Sequence, residues 1–299
     1  MRVKALASAG ILLTLLAGAF LSAAPQSAAQ EPEVLMPEQS AAKARQILGQ
    51  AIEALGGPAY LNVRDITCTG TLSQFGHSGE LNGFEKFIDY SIPPYKDRTE
   101  NIPKRNIIQI FDGDKGWVLD RGGVSEAEAS DVAQFQSDIK IDLDNILRHR
   151  MNEKDMILRY DGPDVVELKE ADWVELVDSD DRTIRIAIAR ATHLPIQKIV
   201  ELRDPTTKMR TEVKEFYSNY HPLDGIETPF QVARERNGIK IFQVFFDKCE
   251  YNTNLADSLY TRESLDERWD KIDKKHRKKE KAAAASKDDT SKSDSDGTN

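Results

Sequence analysis

The sequence predicts a mainly β protein with a few helices, built on one large antiparallel sheet that is curled or sandwiched. Two observations carry this. Short runs rich in β-branched and aromatic residues, among them "RDITCTGTLSQF", "GELNGFEKFIDY", "NIIQIFDG", "KGWVLD", "RTIRIAIAR" and "GIKIFQVFFDKCEYN", recur between Gly, Pro, Asn and Asp. In "RTIRIAIAR", Ile184, Ile186 and Ile188 alternate with Arg185, Ala187 and Ala189, as in a strand with one apolar face. Helical patterns do not alternate with these strands, which argues against a parallel α/β sheet.

The elements follow in order. Arg2 and Lys4 precede the apolar run "ALASAGILLTLLAGAFLSA", and small residues allow cleavage after Ala29, so residues 1–29 read as an export signal. This predicts a protein delivered across the cytoplasmic membrane and working in the periplasm, with no later stretch long and apolar enough to span a bilayer. A Pro- and Glu-bearing linker is expected over 30–39. In "AKARQILGQAIEALGG", Ala44, Ile47, Leu48, Ala51, Ile52 and Leu55 lie on one helical stripe, stopped by Gly56, Gly57 and Pro58. A polar insert over 125–150 carries Val132, Phe135, Ile139, Leu143 and Ile146 at steps of three and four, which predicts a second amphipathic helix or helix pair. After the last strand, residues 261–280 read as a charged, solvated helix and 281–299 as a disordered Ser/Asp/Lys tail.

Composition narrows the function. The formal net charge is −9, and it becomes two units more negative once Arg2 and Lys4 leave with the signal. An acidic surface of this kind disfavours nucleic-acid binding. There is no glycine-rich phosphate loop, paired CxxC, HExxH or GxSxG, so no cofactor or metal is expected. The five histidines fall in different elements without ligand spacing, and "DSDD" at 178–181 reads as a turn. Cys68 and Cys249 are candidates for one disulfide in an oxidising compartment. The alternative is two buried thiols in strands that never meet.

The stretch "FYSNYHPLDGIETPF" holds His221, Asp224 and Glu227, three groups that could form a metal or acid/base site. A hairpin explains more of it. Asp224-Gly225 suits a tight turn in which both central residues take positive φ, and Pro222 keeps His221 extended.

Four pieces, in order, resemble the outer-membrane lipoprotein-sorting (LolA-like) superfamily, and in particular its secreted bacterial members. They are the leading helix ending "ALGG", then "FDGDKGWVLD", "FYSNYHPLDGIETPFQV" and "YNTNLADSLY", and the match runs over residues 41–260. The resemblance implies an unclosed, strongly curved half-barrel over 40–260 whose concave face is covered by helices enclosing an apolar cavity. It further implies a non-enzymatic monomer that binds a lipid or a lipoprotein acyl chain. The lining residues expected from strand patterns are Ile108, Ile110, Trp117, Leu119, Trp173, Ile184, Ile186, Ile188, Phe230 and Phe245. No position matches the functional arginine of the lipoprotein carrier. Two alternatives remain: a regulatory or scaffold module binding another envelope protein, and an enzyme whose site converges from distant strands around His193 and His221.

Overall fold

The computed structural model describes residues 35–203 and 207–275, and the fold is that of the compact unit beginning at Met36. The expected signal and terminal tail lie outside the described residues.

Among the described residues, thirteen strands form one antiparallel sheet made of two meanders. The first contains β1 (Ile66–Phe75), β2 (Leu81–Ile92), β3 (Lys96–Asn101), β4 (Ile108–Asp112), β5 (Lys115–Asp120) and β6 (Gly123–Glu126). The second contains β7 (Ile157–Val166), β8 (Lys169–Val177), β9 (Thr183–Ala189), β10 (Pro195–Arg203), β11 (Arg210–Leu223), β12 (Ile226–Arg236) and β13 (Ile239–Tyr251). The meanders join where β1 pairs with β13, leaving β6 and β7 as free edges, so the sheet is an open half-barrel.

Helices cover the inner face. Helix α1 (Pro37–Leu55) starts inside the expected linker because Pro37 suits the first helical position and Gln39 Oε1 accepts from the Met36 N–H. It buries Ala44, Ile47, Leu48, Ala51 and Leu55, the stripe read from the sequence. Ser40 Oγ accepts from the Tyr160 N–H at 2.9 Å, so α1 also ties down part of the β7 edge. A single turn, α2 (Pro58–Leu61), follows. The polar insert forms a pair, α3 (Ala129–Ile141) and α4 (Leu143–Arg148), broken at Asp142. The Asp142 carboxylate caps α4 by accepting from the Asn145 N–H at 2.7 Å.

The inner core lies under α1 and α4. It joins their apolar residues to Leu158, Val174, Leu176, Ile184, Ile186, Ile188 and Val200. The outer face carries two smaller clusters. One contains Trp173, Ala187 and Ile199. The other seats α5 (residues 262–275) on the first meander. This corrects the expectation of a solvated terminal helix. Leu265, Trp269 and Ile272 pack on the cluster of Ile108, Ile110 and Leu119. Arg98 clamps the segment leading into α5, its guanidinium held by Glu100 Oε1 at 2.7 Å while donating to the Leu259 carbonyl and Ser264 Oγ.

Candidate ligand-binding interior

Strand alternation decides which side chains reach the inner face, and a bulge in β13 resets it. In the second meander, Ile186 pairs with Lys198, Lys198 with Glu215, Glu215 with Arg234, and Arg234 with Phe242, all on the inner side. Along β13 the inner positions are Phe242, Val244 and Phe246, then Cys249 and Tyr251. The register with β1 skips Asp247, so this bulge moves the inward parity by one residue. Opposite them on β1 stand Leu72, Gly70 and Cys68. Cys68 and Cys249 are direct cross-strand partners and form a disulfide.

The inner face therefore has two parts. Under α1 and α4 it is sealed: Ile184, Ile186 and Ile188 are buried within the main core. Over β1, β12 and β13 it is not. Leu72, Phe230, Val232, Phe242, Val244 and Phe246 are half-buried, and Phe246 meets the ring edge of Phe87 with centroids 6.1 Å apart. These residues make an apolar strip beside α3. Helix α3 itself is lightly held, burying only Ile141 and stacking Phe135 on Phe111 at 4.6 Å. A cleft of about 1020 Å³ flanks it toward Tyr95, His149 and Arg182. A smaller one of about 390 Å³ lies beneath it, against Leu202, Val213, Arg234 and Arg236.

A charged cluster stands between the two parts. Lys198 Nζ lies 2.6 Å from Glu215 Oε2 and donates to the Ile141 carbonyl at the end of α3, also at 2.6 Å. Tyr217 and Arg234 donate to the same carboxylate. Burial alone would raise the Glu215 carboxyl, but Lys198 and Arg234 outweigh it and hold the group down at about 2. At the other end of the strip, Thr99 Oγ1 donates to Asp89 at 2.9 Å, with Asp97 close by. Burial pushes the Asp89 carboxyl up to about 6 against the hydrogen bonds that favour its charge, while burial and the Asp89 charge raise Asp97 well above the usual carboxylate range.

The residues predicted to line a cavity do not form one surface. Ile184, Ile186 and Ile188 lie on the sealed inner face, and Phe230 lies on the open strip. Ile108, Ile110, Trp117 and Leu119 sit on the outer face beneath α5. Trp173 is also outside, with the Arg185 guanidinium 4.6 Å above its ring. Phe245 faces outward and is half-exposed. Leu72, Val232, Phe242, Val244 and Phe246 were not expected in the strip. "IFQVFF" is apolar on both faces, and only a bulge decides which phenylalanines turn inward.

The hairpin at "HPLDGIE" places Asp224 at φ 51° and Gly225 at φ 81°, as a two-residue turn with both central residues left-handed requires. The helix terminus Gly56 packs so closely on this turn that a Cβ there would lie 2.3 Å from the Gly225 carbonyl oxygen. His221 is exposed, its ring meeting that of Phe230 edge-on with centroids 4.9 Å apart. Among the described residues no group of three His, Cys, Asp or Glu is placed to hold a metal ion, and no helix is long and apolar enough to cross a membrane.

An open antiparallel half-barrel with inner-face helices defines the class, and solved structures place it more closely. A DUF1329 family protein from Desulfovibrio piger superposes with a TM-score of 0.54 at 16% identity, covering 74% of this chain and 98% of that one. A putative outer membrane lipoprotein-sorting protein domain from Vibrio parahaemolyticus gives 0.50 at 11% identity, covering 76% and 99%. The chain thus has the fold of the lipoprotein-sorting (LolA-like) superfamily that its sequence resembles. No protein-family model matches the sequence, and no curated protein matches it.

Proposed function

We propose that this chain is a non-enzymatic, exported envelope protein that binds an apolar ligand, a lipid or an acyl chain, on the strip of β1, β12 and β13 beside α3. The single observation behind this is the row of half-buried apolar side chains Leu72, Val232, Phe242, Val244 and Phe246 on the helix-bearing face. Surface of this kind gains about 0.8 kcal/mol for each methylene a ligand removes from water. Helix α3, which buries one residue and is otherwise held by one stack and a few polar contacts, is the element that moves to admit the chain. The finer reading is a lipoprotein-sorting carrier in the periplasm, in which residues 1–29 act as the signal and 40–260 as the binding domain.

The test is intact mass of the protein purified without its signal, under native and denaturing conditions, followed by lipid extraction. A bound lipid released on denaturation supports the reading. A protein that is empty and also ignores a fluorescent apolar probe sinks it. One observation favours a second reading, docking of another envelope protein on the outer face. Phe84 and Phe245 flank β1 there at 72% and 42% exposure. Loss of a co-purifying protein, but not of lipid, on Phe84→Ser would select it.

A further inference from the structure

The cavity beneath the C-terminal half of α3 gathers guanidinium groups at one end of the inner face. Its volume is about 390 Å³, and Arg203, Thr211, Arg234 and Arg236 line it together with the apolar walls of Leu202 and Val213. Register explains the gathering. Arg234 pairs with Glu215 and Arg236 with Val213, so both arginines stand on the inner side of β12, about 7 Å apart along the strand. Thr211 precedes Val213 on the same side of β11, opposite Leu202. Arg203, the last residue of β10, reaches the mouth. The acidic residues of these strands go the other way. Alternation puts Glu201, Glu212 and Glu235 on the outer face, where Arg210 pairs with Glu201 and Lys214 with Glu212.

The charge around this cavity is unbalanced. Arg234 commits Nε to Glu215 Oε1 at 2.8 Å, and its Nη1 stands 4.0 Å from Asp138 of α3. Lys198 lies against the other oxygen of Glu215. Among the described residues, neither Arg203 nor Arg236 has a carboxylate within ion-pair distance. Four cations thus meet two carboxylates, Glu215 and Asp138. Glu215 registers the field they make. Burial alone would push its carboxyl up, yet Lys198 and Arg234 hold it down at about 2. In a chain whose formal net charge is −9, an excess of two cations around a cavity is an arrangement for an anion. The groups present select its kind. Guanidinium forks beside a hydroxyl match the tetrahedral oxygens of phosphate, and two uncompensated charges match its dianion, whereas a carboxylate would offset only one.

We infer that this cavity is a phosphate site, in which Arg203, Arg236 and the Thr211 hydroxyl donate to the phosphate oxygens while Arg234, committed to Glu215, forms the inner wall. The site goes beyond the apolar strip and does not need the strip to be occupied. The two surfaces adjoin, because the Arg234 guanidinium lies over the Phe242 ring, 4.9 Å from its centroid. A phosphate on a small ester and one at the head of an amphiphile present the same oxygens here, and the choice of probes tells the two sources apart.

Binding of glycerol 3-phosphate, dihexanoyl phosphatidic acid, dihexanoylglycerol and acetate is measured by isothermal titration at low ionic strength, where screening is weak. The proteins are the signal-less chain, Arg203→Gln, Arg236→Gln and the double variant. Arg210→Gln removes a cation paired with Glu201 outside the cavity and controls for net charge, and thermal melts check that each variant folds. Each single substitution in the cavity should weaken glycerol 3-phosphate about tenfold, as for hydrogen bonds to a charged group, and the double variant should abolish binding. Arg210→Gln should stay within about twofold. Phosphatidic acid held more than about tenfold tighter than glycerol 3-phosphate, and lost in the double variant, supports the site and assigns its source to an amphiphile. Equal affinities, lost in the same variant, support it and assign a small ester. The assignment is overturned if neither phosphate binds the unaltered protein, if binding survives the double substitution, or if Arg210→Gln weakens it as much. Acetate held as tightly as glycerol 3-phosphate, or dihexanoylglycerol as tightly as phosphatidic acid, also overturns it. If no apolar probe binds but glycerol 3-phosphate does, the reading of the strip fails and the phosphate site stands.

Discussion

The two parts of the inner face are built from similar strands and differ in what the helices do to them. Over β7 to β10, α1 inserts five buried residues on one stripe, and the isoleucines of β9 close against it. Over β1, β12 and β13, the nearest helix is α3, which buries Ile141 alone and meets the sheet through the Phe135–Phe111 stack and the polar contacts of Lys198 and Arg234. The first region is a core in the ordinary sense, whose area goes into folding. The second leaves its apolar side chains half-buried. On the proposed reading, stability and binding are divided between two ends of one sheet, with the Lys198–Glu215–Arg234 cluster at the division.

Substitutions on each side of the division test it, and the largest effect belongs to the cluster. Glu215→Gln leaves Lys198 buried beside a neutral partner, and chemical denaturation should show a loss of about 3–5 kcal/mol. The pH dependence has a definite sign. Glu215 has its folded value depressed to about 2 from an ordinary 4.5, so its contribution is complete above 4.5 and is lost as pH falls toward 2. Acid titration of stability should lose that component in the variant. Next comes Ile186→Ala in the sealed region, expected to cost about 2–5 kcal/mol with little change in affinity for an apolar fluorescent probe. A clear fall in ligand affinity at unchanged fold would erase the proposed boundary.

Gly225→Val strains a left-handed position on which α1 is seated and should cost about 1–3 kcal/mol by thermal melt. Phe135→Ala removes the stack that holds α3, an interaction worth about 0.5–1.5 kcal/mol beyond its area. Its signature is kinetic: release of bound probe by stopped flow should quicken several-fold, and an unchanged rate would remove α3 as the moving element. The smallest effect is expected at His221→Ala, an exposed site, within about 0.5 kcal/mol and with binding intact.

Much of the scaffold was legible in the sequence because period and punctuation agree. The α1 stripe ends at Gly56-Gly57-Pro58, and the Asp224-Gly225 turn lies between strands whose register it sets. The interior was less legible, for identifiable reasons. In "NIIQIFDG" apolar side chains point both ways, so Ile108 and Ile110 could not be told from Phe111 as inner residues until α5 was seen to cover them. That helix was hidden by its charges: Leu265, Trp269 and Ile272 are spaced for one face but stand among Asp, Glu, Lys and Arg. The bulge at Asp247 reverses parity in mid-strand without a glycine or proline to announce it.

The pairing of β1 with β13 has a consequence for how the protein comes into being. Cys68 and Cys249 are separated by 181 positions, yet they sit side by side in the middle of the sheet. Each meander can form from neighbours in sequence as the chain is delivered, whereas this central seam needs nearly the whole polypeptide, and contacts of such long range form slowly. The seam is also the floor of the apolar strip. The strip therefore does not exist until the last strand is in place, and on the proposed reading a partly folded chain has no surface on which to capture a ligand.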